Sequence, residues 1–391
     1  MQILESTALI VFWAACAMLF MNYFGLYMFL NILSLFSNRV RRAGEVSLDD
    51  YELPTVDVLV AARNEEAVIE ARVRNLLDQD YPADKLKIII ASDDSDDRTS
   101  EIVKSFVNKQ VELREMPERA GQLGIYDQVI PTLRSEITLL TDANVMFKPD
   151  AVRQVVYKYA DSRVGAVSGN QRSIAPAGKE QMVPEENYRN FETNLKQVMA
   201  KLGILIGCYG GIFSLRQKLF RPVGAIPMNA DVAIPLEILA QNYRVDFAAK
   251  GLAYEETEQS IQEEFNRRKR IITYNIPMIS RGLRLTSKAG VLPLFTFINY
   301  KVIRWLSPLL FMLIIVTAAV LASSSLFFVY VSAIIALWFI LSIFGFAANR
   351  KNIRIPVASY IYYFTRMNFA VFIGYFEMLK GITHHWAPRG E

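Results

Sequence analysis

The chain has 391 residues, 52% of them hydrophobic and 21% charged, below the share of about a quarter charged that is usual in soluble domains. Its 43 Lys and Arg against 39 Asp and Glu leave a net charge of +4, too even a balance for a nucleic-acid-binding surface, so no nucleic acid is expected as a partner. Disorder and a wholly soluble protein are both excluded, because the apolar content is concentrated: no charged residue stands between Glu5 and Arg39, and none between Arg304 and Arg350.

In chain order, Ala8 to Phe36 is predominantly apolar, and about 20 residues suffice to cross a bilayer. Arg39, Arg41 and Arg42 follow it, against Glu5 alone before it. The excess of positive charge on one flank places the N-terminus outside and the following domain in the cytoplasm. The two cysteines, Cys16 and Cys208, form no CxxC pair, which fits a soluble part in a reducing compartment. Two histidines, His384 and His385, are too few for a His-rich metal site. A bound metal is therefore expected to have oxygen ligands, which means Mg2+ or Mn2+.

From Tyr51 to about Thr286 strands and helices alternate. Val56 to Ala62, Leu86 to Ala91 and Ile137 to Thr141 read as buried strands, while Glu65 to Asp80 and Thr99 to Val107 have helical spacing. Such alternation predicts a mostly parallel α/β sheet with ligands at the carboxyl ends of its strands. Val291 to Arg304, interrupted by Pro293 and carrying Lys301 and Arg304, reads as an interfacial helix. Leu306 to Ala322 and Leu326 to Phe346 are two spanning helices, followed by Arg350, Lys351 and Arg354. Ile355 to Leu379 is a further apolar segment with Arg366 in its middle, a costly residue at mid-bilayer, so this segment either spans while packed against protein or re-enters. The expected organisation is an N-terminal membrane helix over 1–38, a cytoplasmic domain over 39–290, an interfacial helix over 291–304 and a membrane region with tail over 305–391.

Three acidic clusters follow apolar runs. "IIIASDDSDDRTSEIV" ends a strand on Asp93, Asp94, Asp96 and Asp97, suited either to a nucleobase or ribose or to capping the helix at Thr99. "ITLLTDANVMF" ends on Asp142, Ala143 and Asn144; alternate residues of an extended strand share a face, so Asp142 and Asn144 could reach one cation. "PMNADVAIPLEIL" places Asp231 at the start of a helix, where an N-cap is the simpler reading. A basic run, "EEFNRRKRII", sets Arg267 and Arg270 on one helix face, either to clamp a diphosphate or to touch anionic lipid.

Taken in order and spacing, "PTVDVLVAARNEEAVIEARVRNLLDQDYP", "SDDSDDRTSEIV", "TDANV", "NADVAIPLEI" and "RRKRI" resemble the membrane-bound family 2 glycosyltransferases, which include chitin, hyaluronan and cellulose synthases and glycolipid-forming enzymes. The resemblance runs from Pro54 to Ile272, with a weaker echo in "RMNFAVFIGYFEMLKGITHHWAPRG". It implies a GT-A fold and single-displacement transfer with inversion at the anomeric carbon. By resemblance Ala62, Arg63, Asn64 and Glu65 line the nucleotide pocket, and Asp93 holds base or ribose. Asp142 and Asn144 match the D-x-D that binds Mg2+ or Mn2+ and through it the diphosphate. Asp231 matches the general base, and Arg267 and Arg270 the basic motif that steadies the leaving group. Gly207, Tyr209, Gly210 and Gly211 resemble the acceptor-pocket stretch, with Glu192 on a neighbouring helix as a further acceptor contact.

Four departures stand out: Asn144 for the second aspartate, Ala230 for an acid before the base, Ile271 for a tryptophan, and "ERAGQLGIYDQVI" for a Gly-Lys-rich loop. The missing tryptophan favours transfer of one or a few sugars to a lipid or lipid-linked glycan over polymerisation. The expectation is an integral membrane enzyme, of a bacterial inner membrane by analogy, that takes a UDP-linked sugar and touches membrane lipids. The alternative within the enzyme class is a processive polysaccharide synthase that couples polymerisation to export; its channel would need more membrane segments than one protomer has, a deficit that a homo-oligomer or interfacial helices could make up. An inactive nucleotide-sugar-binding scaffold is the reading from another class.

Overall fold

The computed structural model describes residues 2–36, 51–174, 183–224, 229–256, 261–351, 353 and 355–381. Arg39, Arg41, Arg42, Arg354, His384 and His385 lie outside them. The chain opens on α1 (Ile3–Leu35), a 33-residue apolar helix with a π-helical turn at Met21–Gly25. The next elements are β1 (Val56–Ala62), α2 (Ile69–Leu77), β2 (Leu86–Ser92), α3 (Thr99–Lys104), β3 (Val111–Glu115), α4 (Gly121–Val129), β4 (Ile137–Asp142), β5 (Val145–Phe147), α5 (Ala151–Val156) and β6 (Val164–Ile174). Then come α6 (Val183–Lys201), β7 (Phe213–Arg216), α7 (Ala230–Ala240), β8 (Arg244–Glu256), α8 (Ile261–Asn275) and α9 (Ile279–Ala289). The chain continues with α10 (Val291–Leu321), α11 (Leu326–Arg350) and α12 (Pro356–Leu379).

Two compact units result. One holds the sheet with α2–α7 and most of α9; the other holds α1 as far as Phe29, α8, and α10 from Phe295 onward with α11 and α12.

In the sheet unit eight strands lie in the order β3-β2-β1-β4-β7-β6-β8-β5. β3, β2, β1 and β4 run parallel, as do β6 and β8. β7 is antiparallel to both neighbours and β5 to β8. Every residue of β1 is buried, and the runs of β2 and β4 are nearly so, as parallel strands covered on both faces require. In α2 the residues Ile69, Val73 and Leu76 recur at helical spacing and are buried, forming one core with β1, β2, β4 and α5. The helix begins four residues later than the spacing from Glu65 suggests, because 65–68 form a turn.

Among the described residues three helices are long and apolar enough to cross a membrane: α1, α10 and α11. Residues 291–304, expected as a separate interfacial helix, are continuous with the apolar helix after them; a π-helical turn at Ile298–Val302 joins the two parts. The segment expected to span or re-enter is the unbroken helix α12, and it packs along α8 and α11. Its Arg366 donates to Tyr362 Oη at 2.6 Å and to Gln262 Oε1 on α8 at 2.5 Å, and its guanidinium lies 5.4 Å from the Phe265 ring centre. Lys269 on α8 pairs with Glu377 on α12 at 2.7 Å.

Candidate active site

The parallel strands end on two groups of acidic side chains. At the end of β2, Asp93 is fully buried, and its carboxylate accepts the backbone N–H of Ala120 at 2.7 Å and of Gly121 at 3.0 Å. These are the opening amides of α4, where Gly121 takes a φ of +69° that favours glycine. Asp93 thus caps a helix 27 residues further along the chain. Arg63 Nη1 donates to the carbonyls of Asp93 and Asp94 at 2.8 and 2.6 Å. The amides of Glu65 and Glu66 donate to Thr99 Oγ1 and Asp97 Oδ2 at 2.8 and 3.0 Å. Ala62 is buried and its carbonyl accepts the Asp93 amide. The 62–66 and 93–99 loops are therefore one interlocked layer.

At the end of β4 the arrangement differs. Asp142 is half-buried and its Oδ1 accepts the Gln122 side-chain amide at 2.8 Å. Burial, followed by the neighbouring Glu255 carboxylate and in lesser part Asp231, pushes its carboxyl up to about 6. Beneath it Arg72 is fully buried, with its guanidinium 4.2 Å from the Phe147 ring centre and donating to Thr141 Oγ1 at 2.7 Å. Burial draws that guanidinium down to about 9, against the opposing pull of Asp142.

Ala143 and Asn144 form a turn between β4 and β5, so the argument that Asp142 and Asn144 share a strand face does not hold. β4 pairs with β1 and β7, whereas β5 pairs with β8. Asn144 is half-buried in that turn. Among the described residues no three Asp, Glu, His or Cys side chains are arranged to hold a metal ion. The donor set nevertheless fits a hard cation: it is all oxygen, and it sets like-charged carboxylates near one another.

Glu255, Gln171, Gln122 and Arg72 were not singled out from the sequence. Val145 faces Glu255 across the β5–β8 pair. Gln171 on β6 bridges outward, its Nε2 donating to Glu255 Oε2 at 2.5 Å and its Oε1 accepting the Gly211 amide at 3.0 Å. The Gly211 carbonyl accepts Thr141 Oγ1 at 2.7 Å. A Cβ on Gly211 would lie 2.8 Å from Val145 Cγ2 and 2.9 Å from Gln171 Oε1, so close approach excludes a side chain there. On Gly210 a Cβ would meet only Asp231 Cβ, at 3.9 Å.

Asp231 sits half-buried in the first turn of α7, behind Asn229 at the cap. Its carbonyl accepts the Cys208 amide at 2.7 Å, so the stretch around Gly210 is tied to the residue expected to act as base. Above this stretch lies α6. Thr193 Oγ1 and Tyr209 Oη are 2.8 Å apart, and Lys196 Nζ donates to the Gly207 carbonyl at 2.6 Å. Glu192 is buried on the same helix. Burial above all, with the Glu192 charge adding, pushes the Tyr209 phenol up to about 12.

Residues 57–224 match the family description "Glycosyl transferase family 2". This segment is a glycosyl transferase family 2 domain. A "Beta-monoglucosyldiacylglycerol synthase" of Trichormus variabilis is 36% identical over 119 residues, 29% of this chain and 25% of that protein. The "Probable glycosyltransferase YdaM" of Bacillus subtilis is 26% identical over 264 residues, 63% of this chain and 62% of its own. The chain thus spans a quarter of the first relative's length and less than two thirds of the second's. Among solved structures, a mannosyltransferase, PcManGT from Pyrobaculum calidifontis, in complex with GDP-Man and Mn2+, covers 96% of this chain and 99% of its own at a TM-score of 0.63 and 20% identity. At that identity the likeness shows the fold, a GT-A α/β domain with apolar helices.

Within the family 2 domain and the α7–β8 segment after it, Asp142, Gly210, Gly211, Asp231 and Glu255 gather at one place, with Glu192 on the helix above. Ala62, Arg63, Asn64, Glu65 and Asp93 form the neighbouring layer. Arg267 and Arg270 belong to the helical unit, on α8. Arg267 and Arg268 both pair with the buried Glu264, at 2.9 and 2.8 Å.

Proposed function

We propose that the chain is an inverting glycosyltransferase that moves a sugar from a nucleotide sugar, UDP-linked in the first instance, to a lipid or lipid-linked glycan at the cytoplasmic face of a membrane. The observation that carries the proposal is Asp231 beside the open side of Gly210, with the Asp142 and Glu255 carboxylates next to it. Asp231 takes the proton of the acceptor hydroxyl as its oxygen attacks the anomeric carbon. The bond from that carbon to the diphosphate oxygen breaks in the same displacement, and the nucleoside diphosphate leaves with the bonding electrons. Gly210 leaves room for the acceptor beside Asp231, and Glu192 is a further contact to it. Asp142, with Asn144, would hold Mg2+ or Mn2+, and a bound cation supplies charge neutralisation to the departing diphosphate. Ala62, Arg63, Glu65 and Asp93 frame the nucleotide.

A lipid acceptor is favoured by two observations: among the described residues, three helices long and apolar enough to cross a membrane, and the name of the 36%-identical relative, a monoglucosyldiacylglycerol synthase. The cytoplasmic orientation rests on Arg39, Arg41 and Arg42 after α1.

The test is release of nucleoside diphosphate by the full chain in phosphatidylcholine vesicles with and without diacylglycerol, across UDP- and GDP-sugars with Mn2+ or Mg2+. Release that depends on the lipid acceptor is expected. Absence of release with every donor, also after addition of a total membrane lipid extract, would contradict the assignment.

A further inference from the structure

We infer that Lys196 is a positioning residue for the general base: from α6 it fixes the backbone of the 207–211 stretch, and that stretch in turn fixes Asp231. The inference deepens the proposed function and rests on the role given there to Asp231.

Lys196 is buried at 4% exposure, a state that lysine reaches only when its ammonium is paired or hydrogen-bonded. Its Nζ donates to the Gly207 carbonyl at 2.6 Å and reaches the Cys208 carbonyl at 3.4 Å. The same ammonium lies 4.8 Å from the centre of the Tyr209 ring, within cation–π range. One turn earlier on α6, Thr193 meets the Tyr209 hydroxyl at 2.8 Å. Two side chains of one helix thus grip three successive residues, Gly207, Cys208 and Tyr209.

The gripped segment is tied directly to the base. The Cys208 amide donates to the Asp231 carbonyl at 2.7 Å, the Tyr209 amide to Ser168 Oγ at 3.0 Å, and the Gly211 amide to Gln171 Oε1 at 3.0 Å. The Gly207 carbonyl that accepts from Lys196 and the Cys208 amide that donates to Asp231 belong to one trans peptide unit, so the ammonium and the Asp231 backbone bind its opposite sides. Three ammonium protons suit this task, because a cluster of carbonyls needs several donors from one point. Methionine would fill the volume of the stem and leave those carbonyls unmatched in a buried place. Gly210, next in the chain, has its open side toward Asp231. A shift of the segment therefore moves both the base and the wall of the acceptor space, and misplacement by about 1 Å is enough to cost about a hundredfold in rate.

The test compares Lys196→Met, Lys196→Arg and Asp231→Asn in the full chain, reconstituted in phosphatidylcholine vesicles with diacylglycerol. Turnover is followed as nucleoside diphosphate release, and backbone order by hydrogen exchange of the peptides containing 207–211 and 229–231. For Lys196→Met the expected result is a fall in kcat of about 10- to 100-fold with donor KM unchanged. Exchange should be at least about tenfold faster at 207–211 and at 229–231, while β1 and β4 keep their protection. Lys196→Arg should restore part of both, because it keeps a multivalent cation. Unchanged exchange at 207–211 and 229–231 in Lys196→Met would overturn the inference, whatever the turnover. So would a fall in kcat matched by loss of protection throughout the sheet. If Asp231→Asn keeps full turnover, the role of the base itself is wrong, whereas loss of turnover in Asp231→Asn with a wild-type Lys196→Met sinks the positioning role alone.

Discussion

Two acidic strand ends of one sheet, at Asp93 and at Asp142, look alike as text and behave oppositely in the fold. Asp93 has no exposed surface, and both carboxylate oxygens accept backbone amides at a helix start. Asp142 accepts one side-chain amide and otherwise faces the field of Glu255 and Asp231. A carboxylate satisfied by amides contributes stability, whereas one crowded by like charge is held in a costly state that a cation or a proton relieves. The contrast separates the frame of the site from its reactive part.

The largest effect that would sharpen this contrast is at Asp142. Asp142→Asn should lower Mn2+ affinity, measured by electron paramagnetic resonance with UDP present, by more than about 100-fold, beyond the loss usual for outer-shell partners. Its stability at neutral pH should stay level or rise. Asp93→Ala should do the reverse to the fold, costing about 2–4 kcal/mol in chemical denaturation, since two part-buried amides lose their acceptor. Equal stability losses at the two positions would erase the distinction. Next in size is Gly211→Ala, expected to cost about 1–3 kcal/mol through overpacking against Val145 and Gln171. Gly210→Ala, with open space up to Asp231, should stay within about 0.5 kcal/mol.

A further effect is in pH. The folded Asp142 carboxyl stands at about 6 against an ordinary 3.8. Over that window the folded protein therefore holds a proton that the unfolded chain has released. Stability of the metal-free protein should fall as pH rises from about 4 to about 6, and Asp142→Asn should remove this part of the slope. Denaturation midpoints measured across that range with a chelator present would check it. A slope of the opposite sign would mean that Asp142 is stabilised as an anion.

How far the sequence shows this depends on whether the partners are local. β1, β2 and β4 are continuous apolar runs bounded by turn residues, so they and the clusters at their ends are readable directly. β6 contains Gly165 and Gly169, and β8 is broken by Lys250 and Gly251, so neither shows the pattern of a buried strand. With β8 went Glu255, whose partner Gln171 lies 84 residues away. Asp93 was legible as an important acid, but its capping of a helix 27 residues on is a tertiary fact. The turn at Ala143 and Asn144 is not legible, because an apolar run that ends on Asp142 reads as an extended strand that continues past it. In the helical unit, Arg366 read as an anomaly until α8 supplied Gln262 and Phe265 beside it.

The measurement that bears most directly on the central claim is donor binding and turnover in Asp231→Asn, in the full chain in lipid vesicles. The account expects nucleotide-sugar affinity within about twofold of wild type and turnover lower by about 10²–10⁴-fold, the contribution of a positioned general base. Turnover near the wild-type rate would contradict it, and with it the assignment of this strand end as the reaction centre.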